Sequence, residues 1–331
     1  MKAIVMTTAG GPEVLQPRTL PKPHIQRPNQ ILVRLRAAGT NPVDTKLRSR
    51  GTYFPDRMPA VLGCDGSGVV EACGPQVARF RVGDEVYFCA GGIGDEQGTY
   101  AEYVVLDERH AAIKPVSLSF AEAAVAPLVA ITAWESLHDR GRIGEGMRVL
   151  IHGGAGGVGH VAIQLARVAG AAVATTVGNE EKADLAHRWG AEHVIHYKHE
   201  DFVQSARAWT NDQGVDLALD TVGGATFAAT MAAVKVYGDV VTLLQPAEMD
   251  WKEARLRNLR VSYELMLTPM YYQMEAARAY QARILEQCAR LFDTGQLRIH
   301  LGATLPLGEA AEAHRRIERG HLGKLALLMD D

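Results

Sequence analysis

Val149-Leu150-Ile151-His152-Gly153-Gly154-Ala155-Gly156-Gly157-Val158-Gly159 runs from an apolar stretch into a glycine cluster, and His160–Ala169 then continues with helical spacing. A buried strand, a glycine turn and a helix in that order make one structural unit. Within it Gly154-x-Gly156-x-x-Gly159 places one glycine for a tight turn, one for close backbone approach to a pyrophosphate and one for helix–strand contact. Gly157 and Val158 complete the loop at the helix N-terminus, where unpaired N–H groups and the positive dipole end favour phosphate. The same glycine spacing in isolation would read as a flexible loop, but the strand before it and the helix after it oppose that reading. The segment therefore predicts an α/β fold with a doubly wound parallel sheet of the Rossmann type, binding a dinucleotide.

C-terminal to this unit, apolar runs alternate with helical connections: Ala172–Val177, His193–Ile195, Val215–Leu219, Asp239–Leu244 and Arg260–Met266. Runs of this length joined by helices indicate a parallel sheet covered on both faces. Towards the N-terminus the pattern changes to short β-like runs (Ile31–Ala37, Gly68–Glu71, Glu85–Cys89 and Tyr100–Leu106) separated by Gly- and Pro-containing turns, which predicts a mostly-β barrel-like domain. Ser119-Phe120-Ala121-Glu122 supplies a capping box for a helical stretch interrupted at Pro127. A long helix is expected over Gln273–Asp293, another from Glu309, and a final strand over Leu325–Met329. The expected domains are residues 1–122 (catalytic), 123–267 (dinucleotide-binding) and 268–331, a return segment too short for its own core that completes the first domain.

The bulk properties narrow the function classes. With 331 residues and a net charge of −3, acids and bases being mixed along the chain, there is no basic face for nucleic acid and no polybasic membrane patch. No apolar run reaches membrane-spanning length and none resembles a secretory leader, so a cytoplasmic enzyme is expected. The 4 cysteines (Cys64, Cys73, Cys89 and Cys288) contain no C-x-x-C and read as reduced thiols.

The second strand of the dinucleotide unit ends Thr175-Thr176-Val177-Gly178-Asn179. An NAD-selective unit carries an acid at this tip, where the carboxylate takes the ribose hydroxyls. Here Gly178 leaves room for a 2′-phosphate and Lys182 lies one helical turn later, which predicts NADPH. Asn179-Glu180-Glu181-Lys182 also reads as an N-cap, two dipole-favoured acids and a solvated lysine, and both readings hold together.

Several motifs, in order along nearly the whole chain, resemble the medium-chain dehydrogenase/reductase superfamily. They are Ala38-Gly39-Thr40-Asn41-Pro42-Val43-Asp44, Leu62-Gly63-Cys64-Asp65-Gly66, Gly83-Asp84-Glu85-Val86, Pro127 to Trp134, the glycine turn, and Gly323-Lys324-Leu325. The resemblance is to the zinc-independent quinone oxidoreductase branch, which includes zeta-crystallin-like proteins, and it implies a GroES-like barrel for the first domain. In the zinc-dependent branch the metal is held by two cysteines and a histidine. The matching positions here are Asn41, Cys64 and the Pro127-Leu128 region, so no metal ligand set is expected.

The resemblance further implies hydride transfer from NADPH to a quinone or an α,β-unsaturated carbonyl. Asn41 falls at the nicotinamide ribose, Thr132 beside the nicotinamide, Tyr53 at the acceptor, Tyr197 by the adenosine phosphate, and Val222, Leu243 and Met266 along the cofactor groove. Lys324 either reaches the 2′-phosphate from the tail or is solvated. Each position has a plainer reading: Asn41 a turn residue before Pro42, Tyr53 a loop tyrosine, Thr132 a helix threonine bonded to its own backbone, the apolar residues ordinary core. Leu243-Leu244-Gln245-Pro246 departs from the small-residue turn of many relatives, and Met266 to Tyr272 offers an apolar wall for a bulky substrate. His152 and His160 flank the glycine turn without a spacing that pairs them with a nucleophile or a metal. A zinc-dependent alcohol dehydrogenase with ligands rearranged around Cys64 and Asp65, and a cofactor-binding protein without turnover, are the alternatives. A homodimer joined through the strand Arg260–Met266 is implied by the resemblance.

Overall fold

The computed structural model describes residues 1–245 and 248–330, so Pro246 of the departing turn lies outside the described residues. The chain forms two compact units, one of residues 1–128, 267–295 and 299 onward, the other of residues 129–266 and 296–298.

The first unit is built on antiparallel strands. β1 (Lys2–Met6) pairs with β2 (Leu15–Thr19), and β3 (Gln30–Thr40) pairs with β4 (Asp65–Cys73) and, along its first half, with β6 (Tyr103–Asp107). β5 (Glu85–Cys89) lies between β4 and β7 (Ala111–Ile113). Ile31, Val33 and Leu35 project from β3 at period two, and they bury with Val70, Val86, Phe88, Val104 and Leu106 to form the core. Directly after β3, Asn41 and Pro42 start the helix Pro42–Arg50, where proline at the first helical position sacrifices no hydrogen bond.

The second unit carries a six-stranded parallel sheet among the described residues: β8 (Arg148–Ile151), β9 (Ala172–Val177), β10 (His193–His196), β11 (Val215–Asp220), β12 (Val234–Thr242) and β13 (Arg260–Tyr263). Their spatial order, β10-β9-β8-β11-β12-β13, reverses direction between β8 and β11. That switch point opens a crevice beyond the carboxyl ends of the strands, where doubly wound sheets bind ligands. Leu150, Ala174, Ile195, Val215, Ala218 and Val240 fill the interior with Phe227 and Met231. Ser119 and Glu122 form the expected capping box, and the following helices Phe120–Ala124 and Pro127–Trp134 run into a π-helical turn at Glu135–Arg140.

In the parallel sheet two strand boundaries lie three or more residues from the sequence reading. β12 starts at Val234 rather than Asp239, because a register shift carries the pairing past Tyr237, whose φ of 64° interrupts the apolar pattern. β13 stops at Tyr263 rather than Met266, since β12 ends at Thr242 opposite Tyr263 and provides no further partner strand.

The tail returns to the first unit. After the helix Glu275–Asp293, β14 (Leu301–Pro306) and β15 (Lys324–Leu328) complete its sheet, with Leu325 opposite Thr40 and Leu327 opposite Ala38. That register sets Lys324 beside the end of β3. No helix of the described residues is long and apolar enough to cross a membrane.

Candidate active site

The glycine turn lies at the switch point, between β8 and the helix Gly159–Val168. A Cβ on Gly159 would stand 2.2 Å from Gly153 O, and one on Gly154 2.1 Å from Thr175 Oγ1, so these two positions admit only glycine. Gly156 is exposed, and the nearest atom to an added Cβ is Gly153 O at 3.0 Å, which leaves room for a ligand over the loop. No side chain caps the helix that starts at Gly159, although its first turn lies directly after Gly157 and Val158. An uncapped, glycine-lined helix N-terminus fits a pyrophosphate.

At the end of β9, Gly178 faces the Tyr197 ring: a Cβ there would approach the Tyr197 hydroxyl to 3.0 Å. Asn179 Oδ1 accepts the Lys182 N–H at 3.0 Å, which makes Asn179 the N-cap. Tyr197 is 54 % exposed. The structure thus brings Gly178 and Tyr197 together at the end of β9, with Lys182 in the first turn of the following helix beside Glu180 and Glu181, and Glu180 Oε1 lies 3.8 Å from His196 Nε2.

The carboxyl end of β11 is organised by Asp220, which sequence reasoning missed. Its buried carboxylate accepts from Val222 N at 3.0 Å, Gly223 N at 2.9 Å and Thr242 Oγ1 at 2.7 Å, and Leu243 N donates to its backbone carbonyl at 3.1 Å. Val222 is half exposed and Leu243 half-buried, whereas Met266 and Thr132 are buried. His152 is also buried, between Thr230 Oγ1 at 2.9 Å and Thr176 Oγ1 at 3.3 Å, and burial pushes it down to about 4. It is a neutral structural group at physiological pH.

In the first unit the end of β3 meets β4 and β15 in a buried polar cluster. Asn41 donates its backbone N–H to Asp44 Oδ2 at 2.7 Å and its Nδ2 to Asp65 Oδ2 at 2.9 Å, while its Oδ1 accepts from Lys324 Nζ. Lys324 also donates to Thr40 O at 2.9 Å, and Leu128 N donates to Asp65 Oδ1 at 2.9 Å. Burial raises Asp44 to about 7 and Asp65 to about 6, and burial lowers Lys324 against the pull of both acids. The cluster continues through Tyr100, whose hydroxyl lies 3.3 Å from Asp44 Oδ2 and 3.1 Å from His314 Nε2. Lys324 is therefore neither solvated nor a free cation for a phosphate, which corrects the sequence expectation. The reason is the β3–β15 register, which buries its ammonium at Asn41.

Tyr53 stands in a loop with its ring edge-on to Tyr271 at 5.4 Å between centroids, and Tyr271 meets Phe54 at 5.6 Å and Tyr272 at 4.8 Å. These rings form one partly exposed aromatic wall. Partial burial raises the Tyr53 hydroxyl above its ordinary value, so it stays protonated and available as a donor.

Zinc does not fit this chemistry. Both Asp65 oxygens are engaged, the Asn41 carboxamide lies between an acid and an ammonium, and Cys89 is pushed well up by its hydrogen bond with Cys64 and by burial, which keeps it a thiol. Zinc requires three or four converging thiolate, imidazole or carboxylate ligands, and a neighbouring ammonium opposes a dication. Among the described residues no group of three or more His, Cys, Asp and Glu side chains converges as a metal ligand set.

Residues 27–116 match the alcohol dehydrogenase GroES-like domain family and residues 189–327 the family described as zinc-binding dehydrogenase. The chain is 31 % identical to the quinone oxidoreductase of Pseudomonas aeruginosa, over 96 % of this chain and 95 % of that protein. An alcohol dehydrogenase superfamily protein from Novosphingobium aromaticivorans superposes with a TM-score of 0.92 at 35 % identity, over 100 % of both chains. The Escherichia coli quinone oxidoreductase complexed with NADPH superposes with a TM-score of 0.87 at 28 % identity, over 99 % of this chain and 100 % of that one. Matches over nearly the full length, together with the glycine turn and the metal-unsuited Asn41 cluster, place the chain among the oxidoreductases of the medium-chain dehydrogenase/reductase superfamily, to whose zinc-independent quinone oxidoreductase branch it belongs.

Proposed function

We propose that the protein is a zinc-independent, NADPH-dependent reductase of quinones or α,β-unsaturated carbonyls. The observation that carries this reading is the Asn41–Asp65–Lys324 cluster, a hydrogen-bonded side-chain network with a buried ammonium, in which Asn41 takes the position that the resemblance matches to a metal ligand of the zinc-dependent branch. Without a metal an alcohol has no strong acceptor for its proton, whereas an already electrophilic acceptor needs only hydrogen-bond donors as charge develops.

In this reading the amides at Gly156, Gly157, Val158 and Gly159 hold the pyrophosphate, with Gly154 shaping the turn. Gly178 leaves space for the 2′-phosphate, which Lys182 and the Tyr197 hydroxyl bind. Val222 and Leu243 line the groove, Met266 supports it from the core, and Thr132 and Asn41 position the nicotinamide and its ribose. NADPH supplies a hydride from nicotinamide C4 when bound. The aromatic wall stacks on a flat acceptor, and the Tyr53 hydroxyl donates to its carbonyl oxygen as negative charge accumulates there. The edge strand β13, with Tyr263 and Leu265 half exposed at its end, pairs with a second copy to make a homodimer.

The test is oxidation of NADPH and of NADH by metal-analysed protein, with 1,4-quinones, 2-alkenals and simple aldehydes as acceptors, with and without a chelator. Zinc-free turnover of quinones or enones with NADPH preferred is the expected result. Activity confined to aldehydes and lost with chelator would overturn the proposal.

A further inference from the structure

Asn41 is bonded at each of its side-chain polar atoms by a buried ionisable group, Oδ1 by Lys324 Nζ and Nδ2 by Asp65 Oδ2. A carboxamide presents two faces of nearly the same shape, and which one carries the oxygen is set by its partners. Here the partners admit one answer. An ammonium has only donors and takes only Oδ1, and an ionised carboxylate has only acceptors and takes only Nδ2. Turning the group over would exchange two charge-assisted hydrogen bonds for two repulsive contacts. Asp65 is itself held by Leu128 N at 2.9 Å and Lys324 by Thr40 O at 2.9 Å, so the two clamping groups have backbone anchors. An amide nitrogen carries two protons and Asp65 accepts one. The second has no partner among the described residues.

We propose that Lys324 and Asp65 are positioning residues for the reduction: they lock Asn41 so that its remaining Nδ2 proton is a fixed donor, and the ammonium on Oδ1 strengthens that donor. The group Asn41 holds is accordingly an oxygen acceptor, a hydroxyl or carbonyl of the reacting pair, and never a donor. Withdrawal of electron density through Oδ1 polarises the N–H, as chained hydrogen bonds in a low-dielectric interior do. The inference rests on the reading that Asn41 works beside the nicotinamide.

A double-mutant cycle tests it, with Asn41→Ala, Lys324→Met, the double variant and Lys324→Arg compared by kcat and KM for a quinone, by NADPH affinity and by thermal midpoint. Lys324→Met is expected to lower kcat/KM by about 10- to 100-fold, the worth of one hydrogen bond to a charged group. In the Asn41→Ala background the same change is expected to cost no more than about 2-fold in kcat/KM, and the thermal midpoint, in which two bonded residues also couple, serves to establish that each variant is folded. Lys324→Arg, which keeps a cation at Oδ1, is expected to recover much of the loss. Losses in kcat/KM that multiply independently of Asn41 would overturn the inference and leave the function standing. Full activity of Asn41→Ala would overturn the reading of the site beneath it. If Lys324→Met does not fold, Asp65→Asn enters the same cycle with the same expectations.

Discussion

Replacing Gly178 by Asp puts a carboxylate at the strand end that the proposed function reserves for the 2′-phosphate. Gly178 does not need a left-handed backbone, but its added Cβ would meet the Tyr197 hydroxyl at 3.0 Å, so the ring must yield by a few tenths of an ångström. Gly178→Ala carries that steric cost alone and is the control. Two unit charges about 4 Å apart repel by about 1 kcal/mol in water and about 4 kcal/mol at an effective dielectric constant of about 20. Tyr197 is 54 % exposed, so water reaches this site and the lower part of that range applies. A penalty of about 1–2.5 kcal/mol corresponds to a loss of about 5- to 70-fold in kcat/KM for NADPH. The same carboxylate offers acceptors to the ribose hydroxyls and favours NADH. The assay is the ratio of kcat/KM for NADPH to that for NADH, measured for the wild type, Gly178→Ala and Gly178→Asp. A ratio in Gly178→Asp equal to that in Gly178→Ala, with NADPH turnover intact, would refute the placement of the 2′-phosphate at this tip.

Gly159→Ala sets a Cβ 2.2 Å from Gly153 O, an overlap with backbone that no rotamer relieves; a loss of about 1–3 kcal/mol in stability and of NADPH binding is expected from thermal unfolding and cofactor fluorescence, and an unchanged variant would refute the tight-turn account. Asp220→Ala strands Val222 N, Gly223 N and Thr242 Oγ1, and urea unfolding is expected to show a loss of about 3 kcal/mol or more. Burial alone would raise Asp107, but its bonds from Arg109 hold it at about 2, so the folded state favours the ionised form. That contribution, about 2 kcal/mol, is fully present above the unfolded carboxylate range near pH 4 and is lost as pH falls towards 2; Asp107→Asn should therefore differ from wild type in stability at pH 7 and converge with it below pH 2, and parallel curves would contradict the assignment. Tyr53→Phe is expected to slow quinone and enone reduction by about 10-fold through loss of the hydroxyl donor, and Tyr53→Leu further through loss of the ring; wild-type rates in Tyr53→Phe would remove the donor role.

The dinucleotide unit was legible because its determinants are local. The strand–glycine–helix order at Val149–Val168, the N-cap at Asn179 and the absence of an acid at Gly178 are properties of contiguous residues, and backbone sterics and helix-end electrostatics act over just that range. The shared motifs also implied the two folds and the branch. Tertiary structure alone decided what the polar residues of those motifs do. Asn41, Asp65 and Lys324 come from the end of one strand, the start of another and a tail that returns some 280 residues later to pair with β3, and only that register buries the lysine at the asparagine. The same holds for Tyr53, whose wall is completed by Tyr271 and Tyr272, and for Asp220, whose role depends on Thr242 of the adjacent strand. A charged side chain read along the chain looks solvated. Whether it is depends on which backbone segments close over it, and that is a property of long-range pairing that local periodicity does not encode.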